Sequence, residues 1–251
     1  MSTAFSKDAD TPQQPASTTK VMTALVMNDY VSGAGLDATV TVTTADVVDW
    51  SLESNAQLLA DDVISYRDLL FGMMLPSGND AAKCIARTVG AMMPGGGDPT
   101  DKFLAAMNTK AAALGMTTAV FVSPSGVADA QRMSPNDLSL AMLAFSAVSY
   151  LVTVSGTLSR TLTITGVNAR SYAVNHTINP DGAVKFPEFI CGKTGTYVNS
   201  SDPSLNSGAC LVMLWQKAPG VRRVSVVMGS ATDLDRYKDM RRLIDFEKAR
   251  P

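Results

Sequence analysis

Helix-forming and strand-forming stretches are segregated along this chain, and their order is the strongest constraint on its fold. Period-two alternation, the mark of a half-buried strand, occurs at residues 40–43 and again at 161–165 and 171–174. The β-rich runs 209–215 and 221–228 are joined by Lys217, Ala218, Pro219 and Gly220, a good hairpin connection. Residues 2–7 are a further strand candidate. Between these lie helical patterns. The stretch 21–26 is apolar nearly all round, which predicts a buried helix, closed by Gly33 and Gly35. Helices are also predicted over 62–74, 81–92, from Asp98 and Pro99 to about 114, and from 134 to 144, with a closing helix over 233–248. Strands flanking a helix-rich middle predict an α+β fold: an antiparallel sheet formed from both chain ends and flanked by helices, with an inserted helical lobe. The expected division is one domain over 1–251, with an α/β lobe from 1–44 and 155–251 and a mainly helical lobe from 45–154.

The bulk numbers exclude several classes. A chain of 251 residues can bury a large core, and its 46% hydrophobic and 18% charged content is that of a folded soluble protein. A net charge of −2 gives no basic excess to draw nucleic acid or an anionic membrane. No run reaches the ~18 apolar residues that a membrane span needs, so no membrane anchor is expected. The start, MSTAFSKDAD, lacks the basic and apolar regions of a signal peptide. Cys84, Cys191 and Cys210 form no CxxC pair, which predicts small buried residues rather than a disulfide framework. With His176 the only histidine, a His-rich metal site is impossible, and a structural or surface role is favoured for it.

Three short stretches carry chemistry. In PASTTK, Ser17 and Lys20 are three residues apart where an apolar helix begins, so both side chains share one face. A serine needs an adjacent base to act as a nucleophile, and a lysine serves if burial or a nearby cation lowers its proton affinity. The helix N-terminus favours the anion that develops. Alone, S-x-x-K is common by chance, but the apolar run after Lys20 predicts a buried lysine, which needs partners. The second stretch, Ser77-Gly78-Asn79, reads by itself as a turn with Asn79 or Asp80 as cap; Ser134-Pro135-Asn136 repeats the pattern elsewhere. The third is Gly192-Lys193-Thr194-Gly195-Thr196. A phosphate-binding loop requires glycine at position 187, where this chain has proline, and no helix follows. As a strand, it shows Lys193 and Gly195 on one face, with small residues that let a ligand approach the backbone.

The order S-x-x-K, S-x-N, K-T-G is the signature set of penicillin-binding proteins and serine β-lactamases. The chain resembles the low-molecular-mass penicillin-binding proteins, the serine D-alanyl-D-alanine carboxypeptidases. PASTTKVMTALV, RDLLFGMMLPSGNDAA, FVSPSGVAD, SPNDLSLAM and GKTGT all carry the resemblance, which covers nearly the whole chain. It implies that Ser17 attacks the carbonyl of a terminal D-Ala-D-Ala bond, with Lys20 taking its proton and Ser77 relaying a proton to the leaving group. Asn79 would hold substrate and Lys20. Lys193, Thr194, Gly195 and Thr196 form the implied substrate strand, with Lys193 and Thr196 on the terminal carboxylate and Lys193 as the second positive charge that keeps Lys20 partly neutral. The Ser17 and Thr196 backbone N–H groups are the implied oxyanion hole. No metal or other cofactor is implied. The implied partners are a peptidoglycan stem peptide ending in D-Ala-D-Ala and, as covalent ligands, β-lactam antibiotics. Such an enzyme works outside the cytoplasmic membrane, so the expected signal peptide would have been removed.

Three departures accompany the resemblance. The second motif is S-G-N rather than S-D-N. Ser125 stands where the family often has histidine. By the resemblance, the stretch in hand is expected to be without the family sheet's first strand at its N-terminal end and, after the closing helix, without the β domain and membrane-anchoring helix of many relatives. A β-lactamase is the nearest rival, but the glutamate that speeds deacylation in class A enzymes lies between the second and third motifs. The three glutamates here are Glu53, Glu188 and Glu247, none of them between Asn79 and Phe186. Slow deacylation of penicillin is therefore expected. An esterase or amidase on the same scaffold is a second alternative. A non-catalytic peptidoglycan binder would need a broken catalytic position, and none is broken.

Overall fold

The computed structural model describes residues 3–250. Seven α-helices and seven strands lie within them: α1 Lys20–Tyr30, β1 Thr39–Thr41, β2 Val63–Ser65, α2 Tyr66–Met74, α3 Asn79–Met92, α4 Pro99–Ala113, α5 Pro135–Ser146, α6 Ser149–Gly156, β3 Ser159–Ile164, β4 Arg170–Asn175, β5 Phe189–Tyr197, β6 Gly208–Ala218, β7 Val221–Ser230 and α7 Asp233–Lys248.

The main sheet is antiparallel, in the order β5-β6-β7. Its central strand, β6, is buried along Ala209–Trp215, as the unbroken apolar run ACLVMLW requires of a strand covered on both faces. Alternate residues go to opposite sides. Leu211, Met213 and Trp215 pack with Met240 and Ile244 of α7, while Val212 and Leu214 join the larger helical core. That core centres on α1, whose residues Lys20 to Met27 are all buried, in accord with its lack of a polar face. Local signals set the ends of several helices. Asp98 and Ser134 cap α4 and α5, the latter through a capping box with Asp137, and Thr232 caps α7.

The α+β class holds, with three local differences. The strand expected at 2–7 does not form over Thr3–Lys7, and Ser2 lies outside the described residues. All three strands of the main sheet therefore come from the C-terminal part of the chain. The N-terminal segment lies against α7 instead, with the Phe5 and Phe246 rings 5.7 Å apart. The helix expected over 62–74 divides into β2 and α2, because Ser65 caps α2 by accepting from the Asp68 N–H at 3.1 Å. The β-branched pair Val63-Ile64 then pairs with β1. The helix α6 arises from a β-branched stretch that local preference does not favour. It is held by Ser155, whose Oγ donates to the Gly192 carbonyl on β5 at 2.7 Å.

Candidate active site

The three chemistry-bearing stretches meet where the start of α1, the α2–α3 turn and β5 come together. Ser17 does not lie in α1 itself but in a 3-10 turn, Ala16–Thr19, that leads into it. In such a turn residues three apart eclipse one another, which stacks Lys20 over Ser17. The turn is held open at Ala16, whose φ is 50°. A non-glycine residue there is strained, and the surrounding bonds fix it: the Ala16 N–H donates to Gln14 Oε1 at 2.8 Å, and Gln14 Nε2 donates to the Ala128 carbonyl.

Lys20 is wholly buried, and its Nζ has three oxygen partners: Ser17 Oγ at 2.8 Å, Asn79 Oδ1 at 2.6 Å and the Ser125 carbonyl at 3.1 Å. Burial lowers its pKa to about 7, against the opposing pull of Asp80 and Glu53. A large fraction of the amine is then unprotonated near neutral pH. The chief cause is burial rather than a second cation, a shift of emphasis from the sequence expectation. Ser125, which replaces the family's frequent histidine, serves the site through its carbonyl.

The α2–α3 turn brings Ser77 and Asn79. Ser77 has a φ of 65°, a second strained position at the site. Its Oγ accepts from Lys193 Nζ at 2.8 Å. Gly78 explains the S-G-N form of the motif: a Cβ there would lie 2.7 Å from the Gly72 carbonyl oxygen and 2.9 Å from Ala56 Cβ. The next residue, Asp80, is fully buried and accepts from the backbone N–H groups of Ala56, Leu58 and Ala81. That clamp ties the 54–58 loop to the start of α3.

From β5, Lys193 enters the site fully buried. Burial lowers its proton affinity most, with Lys20 and Arg236 adding to the effect. Gly195 lies on the same face as Lys193, as the alternation predicts. A Cβ on Gly195 would lie 2.9 Å from the Pro15 carbonyl oxygen and 3.0 Å from the Ser17 nitrogen, so the strand can pass the Ser17 backbone only without a side chain. Thr194 turns away, its Oγ1 2.7 Å from Thr177 Oγ1. The Thr196 Oγ1 donates to Asp233 Oδ1 at 3.0 Å.

Two residues at the site were not singled out from sequence. Arg236 of α7 is buried, and its Nη1 donates to the Gly195 carbonyl at 3.3 Å and to Thr196 Oγ1 at 3.0 Å. Its Nε is buried without a partner. Glu53, on the β1–β2 loop, accepts from Asn79 Nδ2 at 2.8 Å. Nothing in local spacing marks either residue.

The remaining candidates fall outside the chemistry. His176 accepts at Nδ1 from the Ile178 N–H, so Nε2 carries the hydrogen that meets the Ser155 carbonyl at 3.0 Å. Burial and Lys193 lower its pKa to about 4, and the ring is a neutral structural bridge. The three cysteines are buried, and burial raises Cys84 and Cys191 to about 12 and Cys210 to about 11. None is a thiolate nucleophile at neutral pH.

The sequence profile of the D-alanyl-D-alanine carboxypeptidases of peptidase family S11 matches residues 4–232. A D-alanyl-D-alanine carboxypeptidase of Streptomyces sp. strain K15 is 38% identical over 134 residues, 53% of this chain and 45% of that protein. The D-alanyl-D-alanine carboxypeptidase DacB2 of Mycobacterium tuberculosis is 40% identical over 122 residues, 48% of this chain and 37% of its own length. The aligned stretches thus span less than half of these two relatives. Among solved structures, the Streptomyces K15 DD-transpeptidase superposes with a TM-score of 0.81 at 30% identity, covering 96% of this chain and 91% of that one. A D-alanyl-D-alanine carboxypeptidase from Mycobacterium tuberculosis superposes with a TM-score of 0.77 at 26% identity, covering 98% and 85%. On a profile match over most of its length, and with all three motifs assembled in one site, the chain belongs to the D-alanyl-D-alanine carboxypeptidase family.

Proposed function

We propose that this protein is a serine D-alanyl-D-alanine carboxypeptidase that acts on peptidoglycan stem peptides through an acyl-enzyme on Ser17 and is acylated by penicillin. The observation that carries this reading is the buried amine of Lys20, 2.8 Å from Ser17 Oγ with its pKa near 7. That is a base poised for an alcohol nucleophile.

As the Ser17 Oγ–carbon bond forms, the hydroxyl proton passes to Lys20 Nζ. The oxyanion is held by the backbone N–H groups of Ser17 and Thr196, a pairing that the close approach of Gly195 to Ser17 supports. The carbon–nitrogen bond to the terminal D-Ala then breaks, and the departing amine takes a proton through Ser77, which touches Lys193. Water adds to the ester and releases the shortened peptide and free Ser17. The substrate's terminal carboxylate meets Lys193, Thr196 and Arg236. Arg236 extends the expected set, because it is a permanent cation bonded to Thr196. The incoming anion restores the proton affinity that burial takes from Lys193.

The β-lactamase alternative is disfavoured because none of Glu53, Glu188 and Glu247 lies between Asn79 and Phe186, where class A enzymes carry the deacylating glutamate. Among the described residues no single helix is long and apolar enough to cross a membrane. On this reading the protein works outside the cytoplasmic membrane, where peptidoglycan lies. Release of D-Ala from a peptide ending in D-Ala-D-Ala, lost in Ser17→Ala, is the direct test. Turnover of short esters with no release of D-Ala would favour an esterase instead.

A further inference from the structure

Acyl transfer at Ser17 makes no direct use of Glu53, yet the fold fixes this residue at the site. On either side its backbone is pinned. The Glu53 N–H donates to the Asp49 carbonyl at 2.9 Å, Asn55 Nδ2 donates to the Glu53 carbonyl at 2.9 Å, and the Asn79 N–H donates to the Ser54 carbonyl at 2.8 Å. The side chain then meets Asn79 Nδ2 at 2.8 Å, while the other end of that amide, Oδ1, faces Lys20 Nζ at 2.6 Å.

An amide has one donating end and one accepting end, whereas an ionised carboxylate only accepts. Glu53 therefore decides which end of Asn79 meets Lys20. The consequence follows from counting hydrogens. An unprotonated lysine amine has two hydrogens and one lone pair. Of its three partners, Asn79 Oδ1 and the Ser125 carbonyl accept only, and they take the two hydrogens. The lone pair is left for the Ser17 hydroxyl. Were Asn79 reversed, its NH2 would compete with Ser17 for that lone pair.

We propose that Glu53 is a positioning residue for acylation, which acts through the Asn79 amide to aim the lone pair of Lys20 at Ser17. The proposal rests on the reading of Lys20 as the base for Ser17. Its charge has a second effect. The charged groups that face Lys20 are Asp80 on α3, Glu53 on the β1–β2 loop and Lys193 on β5. Glu53 raises the proton affinity of Lys20. Removal of that charge makes the amine available at lower pH.

The test compares wild type, Glu53→Gln and Glu53→Asp. The second-order rate of acylation by benzylpenicillin is followed by intact mass from roughly pH 5 to 9, around the expected lysine titration. Thermal unfolding checks that each variant is folded. Glutamine is uncharged and both donates and accepts, so it no longer orients Asn79. For Glu53→Gln the plateau rate should fall about tenfold, the scale of one lost charge-assisted hydrogen bond. Its acid limb should move to lower pH, while Glu53→Asp should keep the limb where wild type has it. An acid limb that does not move in Glu53→Gln, or a plateau that does not fall, overturns the proposal and leaves the acyl-enzyme reading intact. Wild type that forms no adduct on Ser17 overturns both.

Discussion

Gly195 and Ser17 are packed so closely that a Cβ on the strand residue would lie 3.0 Å from the backbone nitrogen of the proposed nucleophile. The other near atoms are the Pro15 carbonyl oxygen and the Thr18 nitrogen, which are also backbone. No flexible side chain can yield, so Gly195→Ala must push β5 away from the 3-10 turn. A displacement approaching an ångström in a catalytic constellation costs about 100-fold in rate. Acylation of Gly195→Ala by benzylpenicillin should fall by about that factor, as stopped-flow or mass kinetics would show, with the fold retained by thermal melt.

Lys20 links activity and stability to pH in the same direction. Its pKa is about 7 in the folded protein, against 10.5 for a freely solvated lysine. Acylation, which needs the unprotonated amine, should rise as pH increases through about 7. Between that pH and 10.5 the unfolded chain holds a proton that the folded protein does not, so stability also rises with pH across this window. Lys193 contributes with the same sign. Comparison with Lys20→Met isolates the first lysine: denaturant unfolding at pH 7 and at about pH 9.5 should show a larger gain in stability for wild type than for the variant.

Gly78 is the reason that the second motif carries no aspartate. Its Cβ position is occupied by the Gly72 carbonyl, Ala56 Cβ and Asp80 Oδ1. Gly78→Asp should therefore destabilise the fold by about 1–3 kcal/mol through overpacking, read from denaturant titration, and a second buried carboxylate beside Asp80 adds to the cost.

Arg236 should act on the substrate's carboxylate rather than on the chemistry of Ser17. Its guanidinium reaches Thr196 Oγ1 at 3.0 Å. Arg236→Gln should lower kcat/KM for a peptide ending in D-Ala-D-Ala by the equivalent of about 1.5–3 kcal/mol. Hydrolysis of an ester that lacks a terminal carboxylate should change little. Parallel steady-state kinetics on the two substrates gives the comparison.

What the sequence reveals, and what it hides, follows from locality. Ser17 with Lys20, Ser77 with Asn79, and Lys193 with Gly195 are each neighbours on one turn, helix start or strand, so period and spacing place them. Their convergence depends on the fold, and only the order of the three motifs announces it. Glu53 and Arg236 reach the site from a loop and from the closing helix, where they look like ordinary surface charges. The division of residues 62–74 turns on the Ser65 cap, a signal that the apolar pattern masks. The helix α6 forms against its local preference because β5 packs on it.

The central claim is that Ser17 becomes acylated. Intact mass after addition of benzylpenicillin, followed over time with Ser17→Ala alongside, tests it most directly. The account predicts an adduct of one penicillin on wild type that persists after excess drug is removed, and none on Ser17→Ala. An adduct that forms equally on Ser17→Ala would contradict the account.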